Sequence, residues 1–320
     1  MEHLCPEKFH TNCQMPKRAD NTEQEEKRND MIKWLKLIRI QHWIKNFLVF
    51  VPLFFSGQIM KPSLMYITCI AFLTFNCIAS EIYIFNDLND IENDRKHPIK
   101  KNRPLASGAV SISSAKILIV CLGVIIIAMT GVLYYLTANM MVIVLPVVYI
   151  FLNVLYSQGL KNVAIIDVLI LVSGFFIRTF LGAVVVDVKM SDWLYFMIIF
   201  GAFYLGFGKR RNEIMKQGDV SRVVLKDYTK EFLDKNMYVC LGLAIMFYSL
   251  WCIDGATVSR IGNSYMIYTV PIVAVIMFMY SLDIEKDSFG DPVDVILSDK
   301  IILLLIGVYC LLIFAILYVL

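Results

Sequence analysis

The chain lacks what would place it in water or in a membrane barrel. No stretch alternates apolar and polar residues over strand length, and the apolar runs are continuous, which argues against a transmembrane β-barrel. Its eight cysteines follow no disulfide spacing. Cys69, Cys77, Cys121, Cys240, Cys252 and Cys310 lie in or beside apolar segments and read as small hydrophobes. Residues 1–30 are polar and charged, without the apolar core expected of a cleavable signal peptide. His3, Cys5, His10 and Cys13 form a loose set there whose spacing fits no closed zinc site. No Ser-His-Asp or Cys-His arrangement suggests a nucleophilic enzyme, and no nucleic-acid partner is expected.

What is present is apolar surface. Of 320 residues, 58% are hydrophobic, against about half in a soluble domain, and the mean hydropathy is +0.65. The expectation is an all-α, polytopic membrane protein. Residues 1–30 read as a disordered cytoplasmic tail and 31–320 as the transmembrane domain. Residues 31–42 interleave apolar with basic residues, the pattern of a helix lying in the membrane interface. Apolar segments follow at 44–60, 64–85, 115–133, 138–156, 163–186, 193–208, 237–253, 265–281 and 300–320. Judged against roughly 20 residues per crossing, these are nine spans, the sixth and seventh being short.

Positive charge orients them. Lys and Arg crowd the tail through Lys45, the loop of Arg95, Lys96, Lys100, Lys101, Arg103 and Lys116, and the loop of Lys209 to Lys235. The opposite junctions hold little more than Lys61, Lys189 and Arg260. The alternation puts the N-terminus and the even-numbered junctions in the cytoplasm and the C-terminus outside the cytoplasmic (inner) membrane. The last cytoplasmic loop is instead acidic, with Asp283, Glu285, Asp287, Asp291, Asp294 and Asp299.

Candidate chemistry gathers on that cytoplasmic face. Asp87, Asp90 and Asp94 are spaced three and four apart at the end of the second span. If the helix continues through them, all three carboxylates share a face. Such a face serves either as a hard-cation site for Mg²⁺ carrying a phosphate ester or as a solvated acidic helix end. A basic loop with Lys100, Lys101 and Arg103 follows, suited to oxygens the metal does not reach. Lys161, after Tyr156 at the end of the fourth span, is either a snorkelling anchor or a phosphate ligand. Lys209, Arg210 and Arg211, followed by Glu213, suit a multiply charged anion or anchor the sixth span. Glu81 and Arg178 fall within spans, where charge is costly and faces the bundle interior; they pair with each other or with substrate.

Asn86-Asp87-x-x-Asp90-x-x-x-Asp94, with Arg103-Pro104-Leu105 following, resembles the first aspartate motif of the UbiA superfamily of intramembrane prenyltransferases. That resemblance implies a nine-transmembrane-helix bundle with a polar cavity facing the cytoplasm. Asp94-Arg95-Lys96-His97-Pro98, Tyr156-Ser157-x-x-Leu160-Lys161, Ser173-Gly174-Phe175-x-x-Arg178, Gly208-Lys209-Arg210 and Gly290-Asp291-Pro292-x-Asp294 are similar to the decaprenyl-phosphate phosphoribosyltransferase branch. One departure stands out. Ordinary members carry a second motif, Asp-x-x-x-Asp, where this chain reads Lys-Arg-Arg-Asn-Glu. A basic replacement suits a donor with an extra phosphate.

The resemblance implies a transferase moving 5-phosphoribose from phosphoribosyl diphosphate to a polyprenyl phosphate, releasing pyrophosphate. Asp87, Asp90 and Asp94 would be the catalytic and Mg²⁺-binding residues. Asn86, Lys100, Lys101, Arg103, Tyr156, Lys161, Arg178, Lys209, Arg210, Arg211 and Glu213 would bind substrate. The alternative is a conventional prenyltransferase acting on an aromatic or quinone precursor through the same magnesium site. A transporter without catalysis would instead need polar breaks in symmetric half-repeats, and no such symmetry is visible.

Overall fold

The computed structural model describes residues 30–98, 100–217, 223–286 and 292–320. The tail and its His/Cys set lie outside the described residues, save Asp30, which begins a short helix over 30–37. Asp219, Asp287, Gly290 and Asp291 lie outside them too. All regular structure among the described residues is helical.

Among the described residues, nine helices of 16 residues or more follow in order: α1 (Ile40–Phe55), α2 (Pro62–Asn89), α3 (Ile112–Thr137), α4 (Met141–Gln158), α5 (Ile166–Val185), α6 (Asp192–Gln217), α7 (Lys230–Ile253), α8 (Tyr265–Glu285) and α9 (Lys300–Tyr318). Seven of them, all but α1 and α6, are long and apolar enough to cross a membrane. The chain is therefore an integral membrane protein. The short helix α1 is 3-10 over Ile40–Phe50 and α-helical over Val51–Phe55. At about 2.0 Å per residue in the first part and 1.5 Å in the second, its 11 and 5 residues reach about 30 Å. That equals the thickness of a hydrocarbon core, although an α-helix of the same length would fall short.

Local sequence sets several helix starts. Pro62 occupies the first turn of α2, where its missing N–H costs nothing. Ser111, Thr229 and Asp299 cap α3, α7 and α9 by accepting backbone N–H groups.

The helices α2 and α5 form the centre, buried over 56% and 61% of their apolar stretches, whereas α3 is buried over 11% and faces outward. α5 meets α1 so closely that a Cβ on Gly182 would sit 2.1 Å from the Val49 carbonyl oxygen. Only glycine permits that crossing. α6 and α7 pack side by side, with Phe247 stacked against Trp193 and Phe200 and tilted against Phe196.

Arg178 binds the first half of the bundle together. Its Nε donates to Asn46 Oδ1 at 2.5 Å, Nη1 to the Gly174 carbonyl at 2.7 Å and Nη2 to the Tyr149 hydroxyl at 2.9 Å. Its guanidinium also lies over the rings of Phe75 and Tyr149. Asn46 in turn donates to Asn76 on α2. One buried cation thus joins α1, α2, α4 and α5 without any carboxylate. Glu81 does not pair with it; that side chain faces Gly123 on α3.

Candidate active site

At one end of the bundle a cavity of about 620 Å³ opens between the ends of α2 and α4 and the loop after α2. Its wall includes Arg39, Asn86, Asp87, Asp90, Asp94, Lys96, His97, Lys100, Arg103, Tyr156, Ser157 and Lys161. Eight residues singled out by sequence meet there: Asn86, Asp87, Asp90, Asp94, Lys100, Arg103, Tyr156 and Lys161. Lys101, Arg178, Lys209, Arg210, Arg211 and Glu213 are not in the wall.

The three aspartates are not equivalent. A continuous helix would align them, but the backbone breaks at Asp90 (φ −99°, ψ 8°), which ends α2 and begins the short helix Ile91–Lys96. Asp87 and Asp94 are buried, at 3% and 4% exposure. Arg103 Nη1 donates to both, at 3.1 Å to Asp87 Oδ1 and 2.6 Å to Asp94 Oδ2. Asp90 pairs with a different cation, with Lys161 Nζ 3.4 Å from both its oxygens. Ser157 donates to Asn86 Oδ1, tying the end of α4 to that of α2.

Leu105 explains how Arg103 is aimed. It is buried in a small core with Leu37, Ile84, Ile91 and Val110. The Arg-Pro-Leu sequence therefore pairs a cation with an apolar anchor two residues on. His97, near the same loop, is held below the ordinary imidazole value by partial burial and then by the Lys100 cation, with Asp94 acting in the opposite sense.

Hard carboxylate oxygens are the ligand chemistry a divalent cation such as Mg²⁺ requires. Asp87 and Asp94 meet that requirement in placement too, since their oxygens converge on one nitrogen of Arg103. Asp90 stands apart on Lys161. Among the described residues no three His, Cys, Asp or Glu side chains draw together as a set. The donor set fits a hard cation at the Asp87–Asp94 pair, with Asp90 reaching the cavity from its rim.

The basic triplet after α6 behaves differently from an open anion site. Arg210 is fully buried, its Nε 2.5 Å from Asp167 Oδ2 and its Nη1 2.6 Å from Glu213 Oε2. Its remaining donor reaches the Tyr156 hydroxyl at 3.4 Å. Tyr228 donates to the other oxygen of Asp167. Arg211 is paired with Asp234 and donates to the Ile284 carbonyl. Lys209 is half-buried, outside the cavity wall.

Sequence reading overlooked three residues here. Asp167 and Asp234 neutralise Arg210 and Arg211 from 43 and 23 residues away. Arg39 reaches Asp87 from 48 residues away, with Nη2 2.5 Å from Oδ1. No local spacing marks these pairs; the only signal was that Arg39 lies in the basic stretch before α1.

A model of the UbiA prenyltransferase family matches residues 47–293. A decaprenyl-phosphate phosphoribosyltransferase of Mycolicibacterium smegmatis is 31% identical over 284 residues, which is 85% of this chain and 88% of the relative. One from Corynebacterium glutamicum is 31% identical over 299 residues, 91% of this chain and 89% of the relative. Among solved structures, that of a UbiA homologue from Archaeoglobus fulgidus bound to GPP and Mg²⁺ superposes with a TM-score of 0.65. It covers 89% of this chain and 97% of its own at 16% identity, and so speaks to the fold.

Proposed function

The chain belongs to the UbiA prenyltransferase family and is a transferase, and from that premise we propose that it moves 5-phosphoribose from phosphoribosyl diphosphate to a polyprenyl phosphate. The observation that carries this reading is the charge of the cavity wall. Five basic side chains, Arg39, Lys96, Lys100, Arg103 and Lys161, face three aspartates. No second carboxylate cluster lines it among the described residues. A wall with surplus positive charge suits a donor bearing three phosphoryl groups better than a bare prenyl diphosphate. The names of the two relatives support the same donor and acceptor.

In this reading Asp87 and Asp94, with Asp90 at the rim and Asn86 beside them, hold Mg²⁺. When bound, the ion neutralises charge on the departing pyrophosphate. Arg103, Lys100 and Lys161 bind the phosphoryl oxygens of donor and acceptor and hold them in line. The lipid phosphate oxygen attacks C1 of the ribose, the bond from C1 to the diphosphate breaks, and pyrophosphate leaves with the electron pair. The attacking oxygen is already anionic, so no general base is needed, and catalysis comes from positioning and electrostatics. Arg210 and Arg211 act as struts: their ion pairs fix α6 against α5 and α7 behind the wall.

We also infer nine membrane spans. The seven apolar helices are joined by α1, which its 3-10 geometry lengthens, and by α6. The cavity then faces the cytoplasm with the N-terminus, and the C-terminus lies outside. In purified protein with Mg²⁺, Asp87→Ala and Asp90→Ala should each abolish transfer from phosphoribosyl diphosphate. Full activity in either would remove the proposed metal site. Transfer of a prenyl group to an aromatic acceptor is the competing outcome, read by which labelled donor enters lipid.

A further inference from the structure

Asp87 Oδ1 accepts from two guanidinium groups at once, Arg39 Nη2 at 2.5 Å and Arg103 Nη1 at 3.1 Å. Arg103 is already committed to Asp94 at 2.6 Å. Arg39 is thus the second cation on an oxygen that already has one. Its side chain is 20% exposed and lines the cavity, with the guanidinium 4.8 Å from the Tyr83 ring centroid.

The backbone at Arg39 is left-handed, with φ 53° and ψ 51°. A non-glycine residue keeps that conformation only where neighbouring contacts hold it. Those contacts are present. Ser80 donates to the Ile38 carbonyl at 3.0 Å, and Trp43 Nε1 donates to Ser80 at 3.1 Å. His42 N–H donates to the Arg39 carbonyl at 2.8 Å. The first ties the backbone of the turn to α2, the second holds the Trp43 indole on the same serine, and the third closes the turn on itself; none holds the Arg39 side chain. A strained turn is thus kept in a form that directs one arginine into the cavity. The residue precedes the stretch 47–293 that matches the family model, and no aspartate motif includes it.

We propose that Arg39 is a ligand for the diphosphate of the donor, parked on Asp87 until the site is loaded. This rests on the reading that the cavity binds a diphosphate with a divalent cation. Once the Asp87 carboxylate is engaged by that cation, it no longer needs two guanidinium groups. Arg39 then exchanges one anionic partner for another, and its planar fork matches two phosphoryl oxygens. No covalent bond changes in this step. The tether at Ile38, Ser80 and Trp43 keeps the arginine within reach during the exchange.

The test uses the full chain in detergent, with inorganic pyrophosphate as the probe, because pyrophosphate leaves from either candidate donor. With Mg²⁺ present, Arg39→Ala should raise the calorimetric Kd for pyrophosphate about tenfold or more. Arg39→Lys should recover part of the affinity, keeping the charge without the fork. The unsubstituted protein supplies a second readout: the rate at which phenylglyoxal modifies Arg39, followed by peptide mass spectrometry. Mg²⁺ alone should speed modification, and Mg²⁺ with pyrophosphate should slow it below that rate. An unchanged Kd in Arg39→Ala with a lower unfolding temperature would make Arg39 a strut and overturn the proposal. So would one modification rate in all three conditions. If Arg39-dependent pyrophosphate binding persists while phosphoribosyl transfer is absent, only the donor assignment falls. If the unsubstituted protein does not bind pyrophosphate with Mg²⁺, the parent reading falls and this one with it.

Discussion

Replacing Arg210 by methionine separates a strut from a substrate ligand. The guanidinium is fully buried between Asp167, at 2.5 Å, and Glu213, at 2.6 Å. Asp167 is equally buried, and among the described residues the Tyr228 hydroxyl at 2.7 Å is the side-chain partner it keeps without Arg210. Leaving one member of a buried ion pair uncompensated costs about 3–5 kcal/mol. Glu213 is partly exposed and can be rehydrated, so most of that cost comes from Asp167. Adding Asp167→Asn removes the stranded charge while keeping an oxygen that accepts from Tyr228. The double variant should therefore recover most of the loss. The assay is thermal unfolding at one heating rate in one detergent, since such unfolding is commonly irreversible, together with the KM for phosphoribosyl diphosphate. A lower midpoint in Arg210→Met, recovery in the double variant, and a KM within about twofold of the unsubstituted enzyme are expected. An unchanged midpoint with a KM raised about tenfold would refute the strut and return Arg210 to the substrate site.

Three further outcomes follow from the packing and the loop electrostatics. Leu105→Ala should cost about 2–5 kcal/mol of stability and weaken donor binding, because the buried leucine anchors the loop that aims Arg103; equal stability in thermal unfolding would contradict this. Gly182→Ala places a methyl group 2.1 Å from the Val49 carbonyl oxygen and should reduce the yield of monodisperse protein on size exclusion; a normal elution profile would deny the close crossing of α1 and α5. His97 has a folded value below its ordinary 6.5, so as pH falls through that value the unfolded chain takes up the proton first and stability declines. His97→Gln should flatten the acid side of the stability profile, and an identical slope in the variant would exclude the imidazole.

Much of this architecture was legible in the sequence because it depends on local pattern. Each expected apolar run corresponds to one helix, and Asp87, Asp90, Asp94, Arg103 and Lys161 meet at one cavity as their loops suggested. What escaped is what depends on distant partners or on backbone detail. The spacing of the aspartates described a continuous helix, whereas α2 ends at Asp90 and its carboxylate pairs with Lys161 instead of Arg103. Arg210 and Arg211 read as an open cationic patch because Asp167 and Asp234, which neutralise them, belong to other helices. Arg178 lay within a span, where the expected partner was Glu81 or substrate. Its partners are amide, hydroxyl and carbonyl oxygens, with two aromatic faces. Nor does composition announce that α1 is mostly 3-10, the feature that lets sixteen residues extend as far as a longer α-helix.

The central claim is the identity of the donor, and one measurement addresses it directly. Purified protein in detergent with Mg²⁺ and a polyprenyl phosphate is given phosphoribosyl diphosphate, or a prenyl diphosphate with an aromatic acceptor, and the lipid products are identified by mass. The account predicts a polyprenyl phosphate heavier by one phosphoribosyl group in the first reaction and no prenylated product in the second. A prenylated aromatic from the second, with no phosphoribosyl lipid from the first, would contradict it.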